Sequence, residues 1–79
     1  MIRISASRLR YEAAIRGWDQ EAVAREAGVS AATVSRAMRG MPVRGMTALC
    51  LVQAFRRRPP VPELIGLVAL ADNSVARTA

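Results

Sequence analysis

Residues 19–40, DQEAVAREAGVSAATVSRAMRG, constrain the fold more than any other part of the chain. Asp19 and Ser30 are residue types that cap helix N-termini, and each precedes a short run of good helix formers. Gly28 ends the first run, because glycine readily adopts the left-handed conformation that closes a helix. The pattern therefore predicts two short helices, over residues 20–27 and 31–39, packed across a tight turn as in a helix-turn-helix motif.

The rest of the chain predicts three further helices. The first begins after a cap at Ser5 or Ser7 and runs to about Arg16. A fourth, over about 46–56, is apolar on most of its sides, and we expect it to be central to the core. A fifth, over 62–71, begins at a proline, which suits the first turn of a helix. We expect one all-α domain over residues 1–71 and a flexible tail over 72–79.

Charge and composition favour some functions and disfavour others. Twelve basic residues, all arginine, outnumber six acidic ones and give a net charge of +6, which attracts polyanions. The chain has no histidine and one cysteine, Cys50, so we expect no disulfide, metal or cofactor and a reducing, cytoplasmic location. The longest apolar run, residues 64–71, is too short to span a bilayer. No catalytic constellation appears, so we expect neither an enzyme nor a small-molecule ligand.

Two families resemble this chain. VAREAGVSAATVSR, residues 23–36, closely resembles the headpiece motif of the Lac repressor family. The order of one helix, the motif, a loop and two more helices resembles the Cro and phage-repressor family, often called XRE. Since the Lac-type hinge and sugar-binding domain are absent, we identify the chain as similar to the second family. The resemblance covers about residues 5–71. It implies a five-helix Cro/lambda-repressor-like domain that binds double-stranded DNA as a phage or prophage transcriptional regulator. The implied location is the nucleoid of a bacterial or phage-infected cell.

The same resemblance gives roles to residues of the third helix. This helix would lie in the major groove with its first residues towards base edges. Arg36 is the expected reader, since arginine bonds both guanine acceptors for about 1–3 kcal/mol of discrimination. Positions matching Ala31 and Ala32 often read bases in related proteins, but alanine touches only thymine methyls, so we expect modest specificity or reliance on DNA shape. The expected base contacts are Ala31, Ala32, Ser35 and Arg36.

Five other residues are expected to contact the DNA backbone. Gln20 matches a phosphate-binding residue of the phage repressors, and the hydroxyls of Ser30 and Thr33 can donate to phosphates. Arg39 and Arg44 flank the loop that would run beside the sugar-phosphate chain.

Several interpretations stay open. The run Arg56, Arg57, Arg58 is either a second phosphate contact or, as we prefer, a charged end that offsets the dipole of the fourth helix. The fifth helix has more apolar residues than a small monomer buries, so it could form a homodimer interface. Alternatives to a regulator are a recombination accessory or architectural DNA-binding factor and an antitoxin-type protein-interaction module. The expected dimer residues are Leu64, Leu67 and Val68.

Overall fold

Five helices make up most of residues 1–68, the part of the chain that the computed structural model describes. They are α1 (Ala6–Ala14), α2 (Gln20–Ala27), α3 (Ala31–Met38), α4 (Gly45–Arg57) and α5 (Pro62–Leu67). Within residues 1–68 the only β pairing is one antiparallel bridge, between Ile2 and Val43. The predicted all-α class is confirmed. None of these helices is long and apolar enough to cross a membrane.

Side-chain caps set the starts of α1, α2 and α3. The side chains of Ser5, Asp19 and Ser30 each accept a hydrogen bond from a backbone N–H three residues further on, at 3.1, 2.8 and 3.1 Å. These bonds satisfy amide groups that have no partner inside the helix. The caps at Asp19 and Ser30 and the bounds of α2 are therefore confirmed.

Other helix boundaries differ from the prediction. Helix α1 ends two residues early, because the chain turns at Gly17, which has φ +73°. Helix α3 ends one residue earlier and α4 extends one residue further at each end than predicted. Helix α5 stops at Leu67, since Gly66 weakens its last turn and Val68 has the extended values φ −85° and ψ 129°. Residues 69–71 of that predicted helix, and the predicted tail 72–79, lie outside the described residues.

The core consists largely of small side chains, so the helices approach closely. Val23 on α2 and Val34 on α3 are fully buried where these two helices meet. Ala13 on α1 and Met38 on α3 lie in the same apolar cluster. The remaining members of the cluster are Leu9, Ala24, Ala27, Ala37, Val43, Leu51 and Ala54.

The prediction that α4 is central to the core is wrong for much of its surface. Only Leu51 and Ala54 are buried, whereas Met46, Leu49 and Val52 are 67%, 45% and 49% exposed. An all-round apolar pattern shows that a helix can be buried, but not how many of its sides neighbouring elements cover. Helix α4 therefore presents an apolar outer face.

A nearly buried arginine fastens α1 to the C-terminal end of α4. The side chain of Arg16 is 7% exposed, and its Nη1 lies 2.8 Å from Glu12 Oε1. Its Nη2 and Nε donate to the backbone oxygens of Phe55 and Arg58, both at 2.8 Å. The guanidinium carbon also lies 4.9 Å from the Phe55 ring centre and 5.8 Å from that of Trp18. One side chain thus donates to a carbonyl in the last turn of α4 and to the carbonyl of the residue that follows this helix.

The stability of the fold should decline in acid partly through Glu12. Burial raises the pKa of Glu12, but hydrogen bonds from Arg16 and Arg8, together with their charges, outweigh it and hold the pKa below the ordinary 4.5. Such a group stabilises the fold above its unfolded pKa, and this contribution is lost as the pH falls through the folded pKa. Urea titrations between pH 7 and pH 3 should show it, and the decline should be shallower in Glu12→Gln. An identical decline in both proteins would contradict this assignment.

Candidate nucleic-acid interface

A three-residue turn holds α3 at a fixed position against α2. Gly28 has φ +72°, and its N–H donates to the Ala24 oxygen at 2.8 Å. A side chain at this φ would be strained, which explains the glycine. The N–H of the next residue, Val29, also reaches the Ala24 oxygen at 3.1 Å, and Ser30 then starts α3. Because the turn is short and Val34 is fully buried, α3 has little freedom to rotate.

The outer side of α3 carries the residues expected to read bases. Val34, Ala37 and Met38 face the core. Arg36 is exposed, together with Ala31 and Ala32, and Ser35 is half-buried. Positions 32, 35, 36 and 39 lie on one side of a helix, because side chains three or four residues apart share a face. The structure thus brings the four expected base contacts to the outside of one short helix.

A polar cleft adjoins this outer side of α3 and brings together three of the expected DNA contacts. Arg36 and Thr33 of α3 line it with Arg44 from the following loop. Thr47 on α4 contributes a further hydroxyl that the sequence analysis did not single out. The cleft has a volume of about 310 Å³, and its other lining residues are Met1, Pro42 and Val43.

Arginine charge around the cleft is not neutralised by the described neighbours. Among residues 1–68, neither Arg36 nor Arg44 forms a side-chain hydrogen bond or an ion pair. Residues 27–62 contain six arginines and no acidic residue, a charge asymmetry that no single motif in the sequence reveals. Two guanidinium groups with free donors beside a helix N-terminus form a suitable site for phosphate.

The other expected backbone contacts lie outside the cleft. Gln20 is exposed at the first position of α2. The Ser30 and Thr33 hydroxyls are hydrogen-bonded to each other at 2.8 Å, so one acts as donor within the pair. Arg39 donates from Nη1 to Ser35 Oγ at 3.1 Å, which holds both side chains on the outer surface of α3. The Ser30 cap serves the helix whether or not a phosphate is present.

Two contacts that the sequence did not reveal hold the end of α3 and the loop that follows it. Ile2 and Val43 exchange backbone hydrogen bonds of 2.8 Å in each direction, which fastens the loop after α3 to the start of the chain. Arg10 Nη2 donates to the Met38 oxygen at 2.6 Å and so ties α1 to the end of α3. The alternating apolar residues Ile2 and Ile4 were the one local hint of an extended segment.

The arginine run at the end of α4 makes contacts within the protein. Arg57 Nη2 donates to the backbone oxygen of Glu26 at 2.7 Å, and Arg58 Nε lies 3.3 Å from the carboxylate of the same residue. These bonds join the end of α4 to the last turn of α2, which favours the structural interpretation of the run over a phosphate contact. Arg56 makes no such bond among residues 1–68.

The expected dimer residues on α5 differ in exposure. Leu67 is 77% exposed, whereas Leu64 and Val68 are half-buried. Leu64 packs beside Gly17, and the Val61 N–H donates to the Ile15 oxygen at 2.8 Å, so α5 lies against the end of α1.

Known proteins and metal-site geometry add no assignment. No group of three or more His, Cys, Asp or Glu side chains within residues 1–68 could hold a metal ion. In comparisons with known proteins, the chain matches no family model, no curated protein and no solved structure. The function must therefore be argued from the surface around α3.

Proposed function

We propose that this protein is a double-stranded DNA-binding transcriptional regulator in which α2 and α3 act as a helix-turn-helix. The observation that carries the proposal is the pair Arg36 and Arg44. Their guanidinium groups have no hydrogen-bond or ion-pair partner among residues 1–68, and they line the cleft beside the outer side of α3. Helix α3 has eight residues, and an α-helix with its side chains is roughly 10–12 Å in diameter, which fits a major groove about 12 Å wide.

The element order supports a Cro/lambda-repressor-like domain, and for such a regulator we propose the cytoplasm of a bacterial or phage-infected cell. One helix precedes the α2–α3 pair, a loop of residues 39–44 follows it, and two helices complete the domain. Here Arg10 and the Ile2–Val43 bridge hold the end of α3 and the loop, so the surface is formed before DNA arrives. A preformed surface loses less conformational entropy on binding.

Specific roles follow from position on this surface. Arg36 reads guanine, while Ser35 and the two alanines approach neighbouring bases closely. Thr33, Arg44 and Thr47 bind a phosphate at the cleft, and Gln20, Ser30 and Arg39 bind others along the same strand. Two copies paired through α5, with Leu67 at the contact, would recognise a palindromic site with half-sites one helical turn apart. The residues assigned to base contacts are Ala31, Ala32, Ser35 and Arg36.

Selection of bound sequences from a random duplex pool, at near-physiological salt, tests the proposal. We expect a motif containing a guanine whose preference over other bases falls by about 5- to 150-fold in Arg36→Ala, as one bidentate contact is worth about 1–3 kcal/mol. The matched control is Arg56→Ala, which removes the same charge from an exposed residue that does not line the cleft. This control should keep the guanine preference.

The remaining outcomes favour the alternatives. Binding without any enriched motif, steeply weakened by salt, would make the protein an architectural or accessory DNA-binding factor. No binding to any duplex would contradict the proposal and favour an antitoxin-type protein-interaction module.

A further inference from the structure

An apolar groove lies between α1 and α4. Its floor is formed by Leu9 and Leu51, which are buried, together with Ile4, Val52 and Phe55. The groove has a volume of about 410 Å³. On the α1 side its lining residues are Ser5, Arg8, Leu9, Glu12 and Arg16. Arg8, Leu9 and Glu12 lie on α1, and Ser5 and Arg16 lie just before and after this nine-residue helix, which is roughly 14 Å long. That length suits a bound helix better than a compact small molecule.

The rim of this groove is basic. Arg8, Arg16 and Arg56 line it against a single carboxylate, that of Glu12. Glu12 is already shared between Arg8 and Arg16, at 2.8 Å from each. Arg8 remains 63% exposed, and Arg56 has no polar partner within residues 1–68. Two arginines at the rim are therefore available to an acidic partner.

We propose that the α1–α4 groove binds an acidic amphipathic helix of another protein. Apolar side chains of that helix, spaced by three and four residues, contact Val52 and Phe55, and its flanking carboxylates pair with Arg8 and Arg56. Charge at the groove decides against a second copy as its occupant, since two copies paired groove to groove would bring the basic rims formed by Arg8, Arg16 and Arg56 together. The exposed Met46 and Leu49 on α4 extend the apolar surface beyond Val52.

The groove and the proposed DNA surface share no lining residue. Helix α4 contributes Thr47 to the cleft and only residues from Leu51 onward to the groove. Helix α1 contributes residues to the groove and none to the cleft. A helix of another protein could thus bind in the groove while α3 lies on DNA. The DNA-bound regulator would then be connected to a second protein. This inference goes beyond DNA binding and does not depend on it.

Designed helical peptides test the proposal with the full chain. The probe carries leucines at positions i, i+3, i+4 and i+7 with glutamates on both flanks, and its matched control carries lysines instead. Calorimetry at low salt should show at least tenfold tighter binding of the glutamate peptide. Val52→Asp should weaken that binding tenfold or more, and this substitution is tolerable for folding because Val52 is 49% exposed. The double variant Arg8→Glu/Arg56→Glu should remove the preference for glutamate over lysine.

Two controls separate the groove from other surfaces. Leu67→Asp, on the exposed part of α5, should bind the glutamate peptide as the parent chain does. DNA binding by Val52→Asp should also equal that of the parent. Equal binding of the two peptides, or undiminished binding by Val52→Asp, would overturn the proposal. So would self-association that Val52→Asp abolishes, because the occupant would then be a second copy.

Discussion

Replacing Arg16 with methionine should lower the free energy of unfolding by about 2–4 kcal/mol. Methionine keeps much of the apolar stem, but the backbone oxygens of Phe55 and Arg58 each lose the 2.8 Å bond from Arg16, and Glu12 loses its nearly buried partner. For a domain of this size, such a loss is expected to lower the melting temperature by roughly 10–25 °C. Thermal and urea denaturation followed by circular dichroism measure it. The loss is large against a total stability of about 4–12 kcal/mol.

Arg8 provides the matched control, because it pairs with the same carboxylate from the solvent side. Its side chain is 63% exposed, against 7% for Arg16, while both nitrogen–oxygen distances are 2.8 Å. Exposed pairs contribute about 0–1 kcal/mol, so Arg8→Ala should be nearly neutral. If the two variants lose the same stability, the bonds from Arg16 to α4 are not what holds α1 in place.

Reversing both cleft charges, in Arg36→Glu/Arg44→Glu, should weaken DNA binding by about 100-fold or more. In the proposed complex, the variant lacks two donors to phosphate or base and places two carboxylates next to the phosphate backbone. Both residues are exposed, so the fold should be retained. Fluorescence anisotropy with a selected duplex, at several salt concentrations, measures the affinity and the slope of its salt dependence. That slope should become shallower, since fewer counterions are released on binding.

A second double reversal tests whether the position of the charge or only its total matters. Arg8→Glu/Arg56→Glu changes the net charge by the same amount, on the α1–α4 groove. It should keep DNA affinity within about tenfold, because exposed charges further than a Debye length from the DNA are screened. If both double variants lose affinity equally, binding depends on the overall field and α3 has no special role.

Features set by neighbouring residues could be read from the sequence. The caps at Asp19 and Ser30 and the left-handed Gly28 give α2 and the start of α3, because each depends on bonds between residues three to five apart. The predicted end of α5 was wrong, because the run of apolar residues continues past Gly66, which weakens the last turn of the helix.

Features set by distant residues could not be read in this way. The polar cleft forms only when α3, its following loop and the N-terminus of α4 come together, so Thr47 had no local signal. The hydrogen bond from Arg10 to a backbone oxygen of α3 joins residues 28 positions apart. Its acceptor is a backbone oxygen, which every residue has, so no residue type in the sequence marks the contact. Met46 is exposed because neighbouring elements leave its side of α4 uncovered, and helical periodicity does not predict which sides of a helix are covered.

The bridge between Ile2 and Val43 determines where the chain enters the folded domain. Met1 lines the cleft with Arg36 and Arg44, so any peptide joined ahead of it would emerge beside these two arginines. An acidic purification tag at that end would compete with phosphate for both guanidinium groups, and a bulky fusion partner would block access to α3. Affinities measured on such fusions would understate those of the chain itself. The binding experiments above therefore call for protein freed of any amino-terminal addition.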